Sequence, residues 1–473
     1  MSIDIVFCTV PFTDTVQPLM APAILKSVAK SAGRTSRTID LNYQYRDRIL
    51  KSPQASAMLA WFKDGILQAE VEQDIFHMFH DMAGRILAMD PACVGISVFT
   101  YDCQQAATYL SWMLKKLRPD IKILLGGSGL VVNLCEEVTL GERLMQQGVI
   151  DYYIKGDGEK PLYEYLKYGI RSGGFNSPVV WQQMTNREIS QLPIPDYDDY
   201  DIDSYQNRRL PILGSRGCVR ACTFCDVHTH WTKFTWRTGE DIFREMIALS
   251  ERYKIYDFQF GDSLINGNQR EFRRLIQLLA DHNSSAEQPI TWRSFFIIRP
   301  INNLSESDWE LTSRSGGQDL SAGVESLNPD VRRELGKEFN NADLEFALRM
   351  AKKYQIQIRL LFLIGYITET EQDIQNAIQW WRDHAEFRDV VTVNLGTPLG
   401  ILKDTELERN FEKLGLRWVG PNQTDWANEN SDPKMRVRWY EQLSAAIREV
   451  GFREIKGFDN YYIMERIKKN GDL

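Results

Sequence analysis

Gly217-Cys218-Val219-Arg220-Ala221-Cys222-Thr223-Phe224-Cys225 brings three of the chain's seven cysteines onto one short loop. The C-x3-C-x2-C spacing lets that loop wrap three thiolates around a single metal centre. Two kinds of centre suit three thiolates, and the fourth ligand separates them. Zinc usually takes four protein ligands in a structural site, and Cys222, Cys225 and His228, with Cys218 and with His230 beyond, offer a Cys3His set. An iron–sulfur cubane on three cysteines leaves one iron without a protein ligand, open to a substrate or cofactor. The zinc set would be wholly local and need no scaffold around it. The loop here follows a strand and a Gly214-Ser215-Arg216-Gly217 turn at the head of a long βα series.

The rest of the chain bounds this reading. With 473 residues it should hold two to four domains. Hydrophobic residues make 43% and charged residues 25%, and no stretch approaches the ~20 apolar residues of a membrane span. Lys and Arg number 56 against 64 Asp and Glu, net −8, so no global basic field draws in nucleic acid. The opening MSIDIVFCTVPF lacks the regions of a signal peptide, so the expected location is cytoplasmic and the cysteines reduced.

Working outward, a first zone alternates β-branched runs (3–9, 37–41, 93–99, 121–125, 149–154) with helical patterns at 21–32 and 104–117. Such alternation implies a parallel sheet covered by helices. A helical insertion at 45–89 is expected to cap one sheet edge. Residues 170–207, with Gly173-Gly174, three prolines and an acidic tyrosine-bearing run, read as a linker. From 208 a second series begins, with strands expected at 211–215, 256–260, 290–296, 319–324, 356–364 and 390–396. Six βα units make an open doubly wound sheet or a partial barrel, and either puts its site at the C-terminal strand ends. Residues 401–473 read as helical.

The cysteine loop, with an aromatic just before its last cysteine, resembles the signature of the radical S-adenosylmethionine (SAM) superfamily, and the resemblance extends across 208–400. It implies a [4Fe–4S] cluster on Cys218, Cys222 and Cys225 whose open iron chelates SAM. Phe260-Gly261-Asp262-Ser263 stands where the family holds the SAM amino group, and Gly323-Val324-Glu325-Ser326 matches its Gly-x-Glu-Ser motif. Phe362 to Tyr366 is similar to the adenine-contacting segment, although Ile367-Thr368-Glu369-Thr370 lacks the proline members commonly carry. The resemblance further implies SAM contacts from Phe224, Ser294 and Arg359. Taken singly, Glu325, Asp262 and Arg359 have ordinary structural readings as a cap, an Asx-turn and a solvated strand residue; their joint placement at strand ends favours function.

A nucleotide-binding fold would show G-x-G-x-x-G after the first strand, which here runs into Val10-Pro11-Phe12. The order of Pro11, Ser97, Gly126-Gly127-Ser128 and Gly156-Asp157-Gly158-Glu159 resembles instead the cobalamin-binding domain that precedes many radical SAM domains. The plain alternative is that both glycine loops are tight turns. The D-x-H-x-x-G motif that supplies a lower cobalt ligand is absent, since His77 and His80 lie in the insertion without the glycine. The resemblance then leaves the lower face of cobalt to the loop Thr100-Tyr101-Asp102. A methylthiotransferase would need three further cluster cysteines; Ser128 stands at the third place, so Cys8, Cys93, Cys103 and Cys135 read as buried apolar residues.

The resulting expectation is an α/β enzyme. A Rossmann-like cobalamin domain spans 1–169, a partial (β/α)6 radical SAM barrel spans 208–400, and a helical region ends the chain. Methyl transfer to an unactivated carbon is the default chemistry the resemblance implies, through a 5′-deoxyadenosyl radical and methylcobalamin. Cyclisation or rearrangement, methylthiolation and a zinc-stabilised binding module stand behind it. A small-molecule or peptide substrate and a flavodoxin or ferredoxin donor are implied partners; no general acid or base is legible.

Overall fold

The computed structural model describes residues 3–130, 138–169, 179–456, 463–464 and 467–468. It has two compact units, Met1–Pro211 with Ala248–Ile255, and Ile212–Ile247 with Tyr256–Leu473.

The first unit is a parallel sheet of β1 (Ile3–Thr9), β2 (Ser36–Asp40), β3 (Pro91–Ser97), β4 (Lys122–Gly126), β5 (Tyr152–Gly156) and β6 (Val179–Gln182). The order β2-β1-β3-β4-β5-β6 reverses between β1 and β3. In open α/β sheets a ligand crevice forms outside the carboxyl ends of the strands at such a reversal. Ile5, Phe7, Cys93 and Leu124 pack on one face with α1 (Met20–Ser31). Val6, Cys8, Val94, Ile96 and Leu125 pack on the other.

That second face corrects one expectation. The insertion forms α2 (Leu41–Leu50), α3 (Ala55–Asp64) and α4 (Ala69–Leu87), and these share the layer of α5 (Gln104–Leu117) on the sheet face instead of capping an edge. The reason lies in α4, whose buried stripe of Val71, Ile75, Met78, Phe79, Met82, Ala83 and Ile86 recurs at helical spacing. Burial stabilises by roughly 1.5–3 kcal/mol for each large apolar side chain, too much to leave beside an edge. Trp61 of α3 meets Phe79 and Tyr109 edge-on, at 5.5 Å in both cases.

The expected linker is also revised. Residues 179–182 supply β6, and a short helix, α6 (Asn186–Ser190), follows. Tyr197 and Tyr205 are buried, Lys26 bridges Asp196 and Asp199 at 3.0 and 2.7 Å, and the Tyr205 hydroxyl donates to Asp40. The segment therefore belongs to the first unit. Its contacts are individual and long-range, so periodicity had nothing to register. Gly173, Gly174 and Pro178 lie outside the described residues.

In the second unit the chain runs through β7 (Leu210–Ile212), the short pair β8 (Ser215–Arg216) and β9 (Thr235–Trp236), then β10 (Asp257–Phe260), β11 (Thr291–Phe296), β12 (Gly317–Glu325), β13 (Gln357–Ile364) and β14 (Val391–Pro398). The hairpin β15 (Arg417–Trp418) and β16 (Trp426–Ala427) and a final strand, β17 (Arg453–Glu454), follow. The main sheet keeps the order β7-β10-β11-β12-β13-β14-β17 without reversal. Right-handed crossovers that all advance one way leave the helices on one face, so the sheet curls as a partial barrel and is not doubly wound. On β13, Ile358, Leu360, Phe362 and Ile364 are buried while Arg359, Leu361 and Leu363 are half-exposed, which separates a helix face from an open inner face.

The C-terminal region is mixed where a helical region was expected. Besides the β15–β16 hairpin it holds α7 (Pro433–Val450), and β17 extends the barrel sheet parallel to β14. No helix among the described residues is long and apolar enough to cross a membrane.

Candidate active site

β8 and β9 pair antiparallel and close the base of the cysteine loop. Gly217 has φ +78°, and a Cβ there would lie 2.7 Å from the Lys233 carbonyl, so only glycine fits the turn into the loop. Cys218, Cys222 and Cys225 are half-buried free thiols. Burial raises the Cys222 thiol pKa and pushes that of Cys225 up to about 11, so these thiols need positive charge nearby in order to ionise.

The zinc alternative loses its fourth ligand. A ring nitrogen of His228 lies 2.6 Å from the Arg220 carbonyl and closes the loop on itself, while His230 faces Asp226 at 3.8 Å. Among the described residues no three His, Cys, Asp or Glu side chains converge on a single-ion site. A cubane takes each thiolate on a different iron, so three separated thiols on one loop suit it.

Segments that follow β12, β13 and β14 hold the loop. Thr223 N donates to Leu335 O at 3.3 Å, Leu407 N donates to Thr223 O at 3.1 Å, and the Thr223 and Tyr366 hydroxyls are 3.0 Å apart. Phe224 packs with Leu363, Tyr366, Ile367 and Leu399 at the end of β13.

At the end of β12 the register shifts between Gly323 and Glu325, and Glu325 takes φ +68°. Its carboxylate then lies over Gly323 beside Lys337, whose Nζ is 2.9 Å away. A Cβ on residue 323 would sit 2.2 Å from Glu325 Oε1 and 2.9 Å from Lys337 Nζ, so the glycine makes this charged cradle possible. Open iron coordination beside paired ammonium and carboxylate groups fits a zwitterionic ligand such as the methionyl end of SAM.

Ser326 Oγ donates to Glu369 Oε1 at 2.9 Å, and Gly365 N donates to Glu369 Oε2 at 2.8 Å, which ties the ends of β12 and β13 together. Thr370 caps the helix that follows, Glu371–Asp383, in a capping box with Asp373. The Glu-Thr pair is thus a bracket and a cap. Burial pushes the Glu369 carboxyl up to about 7. The unfolded carboxyl ionises first as pH rises, so this group makes stability fall from about pH 4.5 to 7 and level off above. Glu369→Gln preserves an acceptor for Gly365 N. In urea titrations at pH 5 and pH 8 the variant should lose less stability between the two than wild type, by up to about 3 kcal/mol.

Several expected ligands are held elsewhere. Asp262 is 2% exposed and accepts from Gly214 N at 2.7 Å and Ser215 Oγ at 3.0 Å, so its carboxylate braces the strand entering the cysteine loop. Ser263 beside it is half-buried. Ser294 is corrected: it alternates with Trp292 and Phe296, which pack on Phe272 and Trp309, so it faces the helices while Arg293 and Phe295 face inward. Arg359 lies on the inner face, its guanidinium 3.2 Å from Asp319. Lys337 and Glu369 were not assigned from sequence. Glu369 lies inside a quoted motif, whereas nothing local marks Lys337.

In the first unit the loops after β1, β3 and β4 gather at the strand-order reversal. Val98 N donates to Gly126 O, and Gly129 N to Val98 O, both at 2.8 Å. A Cβ on Gly127 or Gly129 would lie 2.3 Å from the carbonyl of Val98 or Thr100, so these glycines let two loops pack together. Gly126 and Gly158 have nothing within 4 Å of a Cβ, leaving backbone open to a ligand. Tyr101 is exposed, Ser97, Thr100 and Asp102 are half-buried, and Pro11 and Glu159 are buried. Ser128 Oγ donates to Phe99 O at 2.7 Å. Asp157 is corrected: it is 3% exposed and accepts from Met184 N at 2.7 Å, a brace for the segment after β6. Cys8, Cys93 and Cys103 are buried in the sheet and its cover, and Cys135 lies outside the described residues.

A partial barrel with three free thiols on the loop after its first strand, and a charged cradle beside them, defines an iron–sulfur enzyme of the radical type. Residues 212–380 match the radical SAM superfamily, so this part of the chain is a radical SAM domain and the protein is an enzyme. An uncharacterised methyltransferase of Pyrococcus horikoshii is 24% identical over 418 residues, 82% of each chain. The radical SAM methyltransferase TsrM of Kitasatospora setae, solved with cobalamin and a [4Fe–4S] cluster, matches over 100% of both chains with TM-score 0.64 and 14% identity. OxsB, a cobalamin-dependent SAM radical enzyme solved with aqua-cobalamin and SAM, matches with TM-score 0.65 and 14% identity over 93% of this chain and 66% of its own. The fold is therefore that of cobalamin-dependent radical SAM enzymes.

Proposed function

We propose that this enzyme is a cobalamin-dependent radical SAM methyltransferase acting on an unactivated carbon of a small molecule or peptide. The supporting observation is that one chain carries both a three-cysteine barrel loop and, in its other unit, a strand-order reversal between β1 and β3 with open glycine backbone at the ends of β4 and β5, at Gly126 and Gly158. When bound, a [4Fe–4S] cluster supplies the electron for SAM cleavage and cobalamin supplies methyl carriage. Cys218, Cys222 and Cys225 hold the cluster. The Lys337–Glu325 pair receives the charged end of SAM, Phe224 and the loop after β13 enclose its apolar end, and Arg359 lines the inner face. The loops at Pro11, Ser97 to Asp102 and Gly126 to Ser128, with Gly156, Gly158 and Glu159, form the cobalamin platform. A flavodoxin or ferredoxin of the cytoplasm provides the electron.

Anaerobic reconstitution with metal and cobalamin analysis tests this directly. About four irons and one cobalamin per chain are expected. Incubation with methyl-deuterated SAM and a metabolite extract should then yield a product that carries the label. Iron without cobalamin would overturn the cobalamin assignment, and zinc without iron the radical one.

A further inference from the structure

Three segments that follow different barrel strands meet at one residue of the cysteine loop. Thr223 stands between Cys222 and Phe224, and all of its polar groups are engaged. Its N donates to Leu335 O, after β12, and its O accepts from Leu407 N, after β14. Its hydroxyl lies 3.0 Å from that of Tyr366, after β13. The Tyr366 hydroxyl is also 3.4 Å from Glu334 O, a carbonyl that can only accept, so Thr223 Oγ1 donates to Tyr366 Oη. Tyr366 in turn stands on a fixed support. Gly365 before it has φ +77°, Gly365 N donates to Glu369 Oε2 at 2.8 Å, and Glu369 N donates to Tyr366 O at 2.9 Å. Asn428 and Asn430 hold the next carbonyl, that of Ile367. The Tyr366 side chain is buried and shares an apolar cluster with Phe224, Leu363 and Leu399, a place phenylalanine would fill as well. The hydroxyl adds what packing does not require, a directional tie between the cysteine loop and the turn after β13.

We propose that the Thr223–Tyr366 hydroxyl pair is a positioning contact that sets the span of the SAM site. With SAM placed as proposed above, its charged end lies beside the cysteine loop and the Lys337–Glu325 pair, and its apolar end lies against the turn after β13. Separate chain segments bear the two ends, and the pair fixes how far apart they stand. Binding each end needs only its own segment, whereas cleavage needs the reacting bond held at one distance and angle from the cluster. Loss of the pair should therefore lower kcat for SAM cleavage more than it raises KM. This role depends on the radical SAM reading and on that placement of SAM.

The test uses reconstituted full-length protein, with iron and sulfide assayed in every variant. Thr223→Val keeps the shape and removes one hydroxyl, and Tyr366→Phe removes the other. In each, deoxyadenosine formation per cluster should show kcat lowered about tenfold or more and KM for SAM changed less, since misplacing reacting groups by about 1 Å can cost ~10²-fold. Thr223→Ser, which keeps a hydroxyl, should restore the rate. The double variant should be no slower than the slower single one, because both hydroxyls act through one contact. Electron–nuclear double resonance of the reduced cluster with methyl-deuterated SAM reads position apart from turnover. Wild type and Thr223→Ser should give the same deuteron coupling, and Thr223→Val and Tyr366→Phe a weaker or broader one. A loaded Thr223→Val cluster with kcat or coupling unchanged overturns the role, as does a rise in KM larger than the fall in kcat. So do additive losses in the double variant, or a Thr223→Ser variant as slow as Thr223→Val, which would mark separate packing effects. Where Thr223→Val takes up no cluster, Tyr366→Phe decides by the same criteria. Loss of cluster in both also overturns the role, since a spacing contact leaves the three thiols in place. Wild-type protein that binds no iron overturns the radical SAM reading itself, and a wild-type cluster whose signal SAM leaves unchanged overturns the placement of SAM.

Discussion

Cys222→Ala protein, reconstituted without air, is expected to hold no intact [4Fe–4S] cluster and to cleave SAM more than ~10³-fold slower than wild type, at least about 4 kcal/mol of lost barrier reduction. The loss is this large because no other thiol or imidazole stands by among the described residues. His228 is turned to the Arg220 carbonyl, and Cys8, Cys93 and Cys103 are packed within the first unit. The fold should survive, since Cys222 is half-buried on a loop anchored by the backbone of Thr223 and by the turn at Gly336. Cys103→Ala makes the contrast. It removes a buried thiol whose Sγ lies 3.5 Å from Val10 O, so it should cost about 1 kcal/mol of stability and leave the iron content unchanged. Iron, sulfide and deoxyadenosine assays on both variants check the pair. Equal iron in Cys222→Ala and wild type would refute the assignment.

Arg436→Ala should destabilise the second unit by about 4 kcal/mol. Arg436 is fully buried in α7, with its guanidinium 3.8 Å from the Trp426 ring centroid. Nη1 donates to Ser431 Oγ at 3.1 Å, and Nη2 donates to the carbonyls of Thr424 at 3.1 Å and Trp426 at 2.5 Å. Its stem fills the space beneath Gly365, where a Cβ would lie 2.1 Å from Arg436 Cδ. Truncation leaves two buried carbonyls short of a donor, about 1–3 kcal/mol each, removes a desolvated cation–π contact of ~2 kcal/mol, and opens a cavity. These losses overlap, so their sum overstates the effect. Arg436→Met keeps most of the volume and relieves the buried charge, so it should cost less.

The same change reaches the site. Asn428 and Asn430 donate to Ile367 O at 2.6 and 3.0 Å, so the C-terminal segment holds the loop after β13 on which Phe224 packs. Looser packing there should raise KM for SAM more than it lowers kcat. Urea denaturation and SAM-dependent deoxyadenosine formation measure the two effects, and an unchanged KM would separate Arg436 from the site.

Much of the molecule was legible because its signals are local. Three cysteines on one loop are coded by spacing, and βα alternation marks strands whose positions agree with the structure to within a few residues. Thr370 announces a helix start through Asp373 three residues on. The segment at 170–207 was misread because its strand and buried tyrosines earn no periodic pattern, and the insertion because helical amphipathicity says that a face is buried but not against what.

By itself the sequence determined the three-cysteine loop, the two parallel-sheet zones and the strand ends that carry the motifs. Only the tertiary structure decided which polar groups remain available there. Asp262 and Asp157 look like ligands in their motifs yet brace distant backbone amides, and Ser294 lies on the helix side because strand phase is set by packing at Trp292 and Phe296. Lys337 and Glu369 come to the site from separate elements, and Arg436 supports it from the C-terminal segment. Their roles follow from long-range desolvation and pairing, which no local spacing encodes.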